Sequence, residues 1–148
     1  MNILIPMAGE GSRFKTEGYT FPKPLIDVNG TPMIQKVVEN LDFDATYIFL
    51  VRKEHLDTYS GLTQTLERIT NNRCKIVVVD SLTEGAACTA LLAEDLIDTD
   101  DDLLIANSDQ FIEYEKENFV TMKNMVDTDA IIHPHIFFNH FFCILYKI

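Results

Sequence analysis

Apolar residues along the chain follow two spacings. Asn2 to Met7, Thr46 to Val51, Cys74 to Val79 and Leu103 to Ala106 are short runs with almost no polar alternation, which predicts strands covered on both faces, as in a parallel sheet. Between the runs, apolar positions recur at intervals of three and four. Met33, Ile34, Val37, Val38 and Leu41 form one such set and predict a helix with one buried face. Leu56, Tyr59, Leu62, Leu66 and Ile69 predict a second helix between Lys53 and Ile69, with Gly61 as its weak point. A third helix is expected over Ala86 to Ile97, a polar one over Glu113 to Val126, and a further strand from Asp129 to Ile132. Strands alternating with helices predict an α/β fold with a parallel sheet and right-handed crossovers.

Punctuation between these elements locates the candidate chemistry. Ala8-Gly9-Glu10-Gly11-Ser12 breaks the first strand, and Gly9 and Gly11 would let main-chain N–H groups approach an anion closely. Arg13 follows at once, and Lys23 comes ten residues later inside Phe21-Pro22-Lys23-Pro24-Leu25. An arginine presents a planar fork to phosphate oxygens and a lysine a compact point charge. The prolines flanking Lys23 restrict the backbone on either side of it. Position 14 is Phe rather than a third glycine, and no Gly-Lys-Ser/Thr occurs, so neither a dinucleotide fingerprint nor a Walker A loop is present. Asn29-Gly30 predicts a turn, after which Thr31-Pro32 offers a helix N-cap and first residue.

The string Gly9-x-Gly11-x-Arg13-Phe14 followed by Phe21-Pro22-Lys23-Pro24-Leu25 resembles the signature of the nucleoside-triphosphate-dependent nucleotidyltransferases, the sugar-phosphate pyrophosphorylase superfamily. The resemblance covers roughly the first 110 residues and is strongest in the first 25. It implies a Rossmann-like three-layer sandwich with a mostly parallel sheet, the glycosyltransferase-A-like fold. It also implies transfer of a nucleoside monophosphate from a triphosphate to a phosphomonoester acceptor such as a sugar 1-phosphate, with release of pyrophosphate. Arg13 would hold the β- and γ-phosphates, Lys23 would neutralise the α-phosphate, and Ala8, Gly9, Glu10, Gly11 and Ser12 would line the phosphate loop. Gly85 matches the family's glycine before a small-residue helix that helps to hold the base. Glu84 stands just upstream, where many members carry Gln. A carboxylate only accepts hydrogen bonds, so contact with the base would favour CTP; the alternative is an ordinary surface glutamate. Asp109, preceded by the small Ser108, matches the family's Mg²⁺-binding aspartate; its alternative role is a cap on the helix expected near Glu113.

Composition narrows the setting. The chain has 148 residues, 47% hydrophobic and 24% charged, a balance suited to one globular domain. A formal net charge of −11 argues against general nucleic-acid binding and sets Arg13 and Lys23 apart as a local positive pocket. Cys74, Cys88 and Cys143 are odd in number and widely separated, which fits a reduced, cytoplasmic setting. The N-terminus lacks a basic leader region and no apolar run reaches membrane-spanning length. Asp98, Asp100, Asp101 and Asp102 read as a solvated loop rather than a metal site.

The family's members usually continue well beyond this length, into an acceptor-binding region with a second metal-binding aspartate. Residues 1–132 are therefore read as a nucleotide-binding core and 133–148 as an atypical aromatic-rich tail, either native or the product of a truncated or frame-shifted reading frame, which would explain its composition. His133, His135 and His140 lack the partners of a metal site. Phe137, Phe138, Phe141 and Phe142 could support homo-oligomerisation. The competing function is a non-catalytic nucleotide-binding or interaction protein that lacks the acceptor site.

Overall fold

A computed structural model of the chain describes residues 1–9, 22–125, 130–134 and 141–146. Its strands are β1 (Asn2–Pro6), β2 (Thr46–Arg52), β3 (Cys74–Val79), β4 (Leu103–Ala106), β5 (Ala130–Pro134) and β6 (Phe141–Tyr146). Its α-helices are α1 (Met33–Leu41), α2 (Lys53–Thr58), α3 (Leu62–Ile69), α4 (Ala86–Leu91), α5 (Glu94–Ile97) and α6 (Lys116–Lys123), with a 3₁₀ turn at Lys23–Leu25. The six strands form one sheet in the order β3-β2-β1-β4-β6-β5. β1 to β4 pair in parallel, while β6 runs antiparallel to both β4 and β5.

The unbroken apolar runs follow from burial on both faces. Successive side chains in a strand point to opposite sides, and here both sides are covered. Ile3, Ile5, Tyr47, Phe49, Val51 and Leu104 face α1 and α3, which contribute Ile34, Val37, Val38, Leu41, Leu62 and Leu66. Leu4, Ile48, Leu50 and Leu103 face the other way, against Ala90, Ala93, Leu96 and Ile97 of the α4–α5 region. Two cores sandwiching one sheet make the three-layer α/β arrangement expected of the Rossmann-like fold.

Local predictions are corrected at four helix boundaries. Thr31 is not the N-cap of α1; that position is Pro32. The helix expected over 53–69 is two helices, interrupted at Tyr59-Ser60-Gly61, with Gly61 capping α3. The helix expected over 86–97 also divides. The N–H of Leu92 bonds the carbonyl of Thr89 and that of Ala93 bonds the carbonyl of Ala90, tightening the last turn to three-residue spacing and burying Ala93 between the pieces. The polar helix is confined to Lys116–Lys123, so Asp109 lies well before its start. The turn at Asn29-Gly30 is present, with φ of 55° and 80°. The Asp27 carboxylate accepts from the Gly30 N–H at 2.8 Å, bracing a backbone region that glycine and asparagine tolerate best. β5 spans the boundary drawn at residue 132, and β6 lies between β4 and β5 in the sheet.

Tyr47 links this core to pH. Its ring is 2% exposed and its hydroxyl donates to the carbonyl of Phe43 at 3.4 Å. Burial raises its pKa above the ordinary 10.0, with the Asp42 charge acting in the same direction and the Phe43 contact opposing. The folded chain therefore holds the phenolic proton more tightly than the unfolded chain. That contribution is complete below the unfolded pKa and is lost as pH rises through the folded one. Denaturant titrations from about pH 9 to about pH 11 should show Tyr47→Phe losing less stability than the parent chain; parallel losses would refute this.

Candidate functional site

Parallel pairing brings the carboxyl ends of β1, β2, β3 and β4 to one edge of the sheet, the edge where open α/β sheets bind ligands. β1 delivers Met7-Ala8-Gly9 there, and the Met7 N–H continues the ladder to the Leu50 carbonyl at 3.0 Å. Ala8 is buried with Leu4 and Leu50, and Ala90 of α4 packs against the same cluster. Gly9 is exposed. A Cβ built on it would meet nothing within 4 Å and its backbone is not left-handed. Gly9 thus provides open space beside the main chain. Glu10, Gly11, Ser12 and Arg13 lie outside the described residues.

Lys23 opens the 3₁₀ turn. Its neighbour Pro24 is buried and Leu25 packs against the larger core. The Leu25 N–H bonds the Pro22 carbonyl at 2.8 Å, and the Met33 N–H bonds the Ile26 carbonyl at 2.9 Å. Anchored on both sides, the Lys23 side chain reaches the Asp109 carboxylate and forms an ion pair with it. The two side chains are 34% and 22% exposed, partly withdrawn from water yet open to a ligand.

Asp109 follows β4 in the turn Asn107-Ser108-Asp109-Gln110. Ser108 is buried, and the Asn107 amide donates to the Gln110 side-chain oxygen at 2.8 Å, bridging over Asp109. The structure therefore joins two of the residues singled out by sequence. As a metal ligand Asp109 has the right chemistry: a hard carboxylate oxygen, partly exposed, with a cationic group already seated on it. Mg²⁺ commonly takes one or two carboxylates and fills its remaining positions with phosphate oxygens and water. No group of three or more potential metal-ligating residues occurs among the described residues. In the acidic run, Asp101 approaches the N-terminal amine at 3.8 Å and Asp102 pairs with Lys123 at 2.5 Å.

Glu84 and Gly85 lie between β3 and α4. Glu84 is exposed, and Gly85 has extended backbone (φ 160°, ψ 176°) at the N-cap of α4. A Cβ on Gly85 would meet nothing within 4 Å. The hydroxyls of Thr83 and Thr89 both donate to the Gly85 carbonyl, at 3.2 and 3.0 Å, and contact each other. Sequence reading missed this pair, although a threonine three residues inside a small-residue helix was a visible signal. It also missed Asn40, which bonds both backbone groups of Ile112.

Comparison with known proteins identifies the family and the fold. Bifunctional protein GlmU of Methanocaldococcus jannaschii is 27% identical over 141 residues, covering 93% of this chain and 32% of that protein. The chain thus spans about a third of the length of the curated relatives it matches end to end. A shorter match, 52% identical over 40 residues, covers 27% of the chain and 16% of 2-aminoethylphosphonate cytidylyltransferase of Lancefieldella rimae. Among solved structures, a nucleoside-diphosphate-sugar pyrophosphorylase from Vibrio cholerae superposes with a TM-score of 0.69 at 19% identity, covering 98% of this chain and 72% of that one. The family model described as nucleotidyl transferase matches residues 3–135. With that match over nearly the whole sequence, and an α/β sheet of the same fold, the chain belongs to the nucleotidyl transferase family.

Proposed function

We propose that this chain is a nucleotidyltransferase that moves a nucleoside monophosphate from a triphosphate to a phosphorylated acceptor, a sugar 1-phosphate being the model case. An acceptor phosphate oxygen attacks the α-phosphorus of the triphosphate. A new P–O bond forms there, the bond to the bridging oxygen of the β-phosphate breaks, and pyrophosphate leaves. The observation that carries this reading is the Lys23–Asp109 pair at the carboxyl edge of the sheet. It sets an ammonium and a carboxylate side by side, the opposite charges that a triphosphate and its counter-ion would require. Such transfers depend mainly on positioning and charge stabilisation.

Lys23 would bind the α-phosphate and offset the charge that develops as the acceptor oxygen arrives. Arg13 would grip the β- and γ-phosphates and stay with the leaving pyrophosphate. Main-chain N–H groups over Gly9 to Ser12 would donate to phosphate oxygens, with Ala8 closing the strand beneath them. Asp109 would hold Mg²⁺, which when bound supplies a Lewis acid and a template for the phosphates. Gly85 leaves room for the base, and Glu84, as an acceptor, would take the exocyclic amino group of cytosine. The match to a cytidylyltransferase supports CTP as the nucleotide.

Incubating the chain with Mg²⁺, each of the four triphosphates and a panel of phosphomonoesters should release pyrophosphate, fastest with CTP. Nucleotide binding without release for every acceptor would favour the non-catalytic alternative, and absence of nucleotide binding would refute both.

A further inference from the structure

We propose that Asn40 is the positioning residue for Asp109; this rests on the role given to Asp109 above. Between β4 and α6 the chain has no regular secondary structure, so its buried backbone groups must find partners elsewhere. Ile112 is 6% exposed and belongs to the larger core. Its N–H donates to Asn40 Oδ1 at 2.8 Å, and its carbonyl accepts from Asn40 Nδ2 at 2.8 Å. The side-chain amide thereby acts as a strand partner for a single residue. It ties the last turn of α1 to a backbone position three residues beyond Asp109.

The second fastening lies farther on. The Tyr114 hydroxyl donates to the carbonyl of Leu41 at 2.9 Å, and Lys116 pairs with Asp42 at 3.0 Å. The Asn107–Gln110 bridge closes the other side of Asp109. Asp109 is thus held between a brace within its own turn and the Asn40 clamp. α1 also contacts the 3₁₀ turn that carries Lys23. One helix therefore sets both members of the ion pair, Lys23 through packing and Asp109 through Asn40.

The test compares Asn40→Ala with Tyr114→Phe, which gives up the hydroxyl's bonds to the Asn40 and Leu41 backbone carbonyls but leaves the Asn40 side chain on Ile112. Both are brought to a temperature at which circular dichroism shows them folded. Lys23 and Asp109 are then joined by a zero-length carbodiimide, and the cross-linked peptide is quantified by mass spectrometry. Asn40→Ala should lose most of the cross-link while Tyr114→Phe retains it. An unchanged yield in Asn40→Ala, or an equal loss in both variants, would overturn the proposal. Should Asn40→Ala not fold, Asn40→Asp keeps the acceptor for the Ile112 N–H, gives up the donor, and is judged by the same yield.

Mn²⁺ affinity in the presence of a non-hydrolysable CTP analogue provides the second readout. Asn40→Ala should bind about tenfold more weakly, the lower end of the range for groups that orient a metal ligand, with Tyr114→Phe unchanged. A parent chain that binds neither ion nor nucleotide would defeat the proposed function, and the cross-link would still decide the role of Asn40.

Discussion

Lys23→Ala should lower the rate of pyrophosphate release by about 10²–10³-fold, the loss seen when one preorganised charge or donor is removed from a developing anion. The expectation rests on how firmly the side chain is aimed. Pro24 is buried, Leu25 is packed on the core, and the ammonium is paired with Asp109. A preset charge need not reorganise when the acceptor arrives, so its removal should reduce kcat more than it raises KM for the triphosphate. The cost in stability should be small, because exposed or half-exposed ion pairs contribute about 0–1 kcal/mol. Stopped assays at several triphosphate concentrations, with a thermal melt, separate these effects. Equal kcat in a folded Lys23→Ala would refute the assignment.

Asp109→Asn should be comparably damaging, for a different reason. The substitution preserves shape and a hydrogen-bond acceptor for Lys23 while removing the negative charge that a divalent cation requires. Activity should fall by about 10²-fold or more, and the Mg²⁺ concentration giving half-maximal rate should move upward. Raising Mg²⁺ should restore part of the rate in Asp109→Asn and none in Lys23→Ala. An identical Mg²⁺ titration in the Asp109→Asn variant would show that the carboxylate does not hold the ion. The distinction is sharp because the residues touch: loss of either breaks the same ion pair, yet only one changes the metal response.

Residues within a few positions of each other made much of the chain legible. The four parallel strands and α1 appear where apolar spacing places them, because both periodicities arise from local backbone geometry. Gly61 marked the weak point at which the second helix divides, whereas the break at Leu92-Ala93 was not legible. An apolar repeat persists across an interruption so long as each piece faces the same core, as Leu56 and Leu62 do. Asn40 gave no signal, since an asparagine in a helix resembles any surface residue until Ile112 is placed opposite it.

The sequence by itself determined the strands, the glycine-punctuated loop, and the individual candidacies of Lys23 and Asp109, through spacing and residue chemistry. Tertiary structure alone decided that β4 lies beside β1, that Lys23 and Asp109 form an ion pair, and that Asn40 fastens the segment beyond Asp109. These are contacts between distant parts of the chain. They depend on strand order and on buried backbone groups finding partners, neither of which is encoded in the spacing of neighbours.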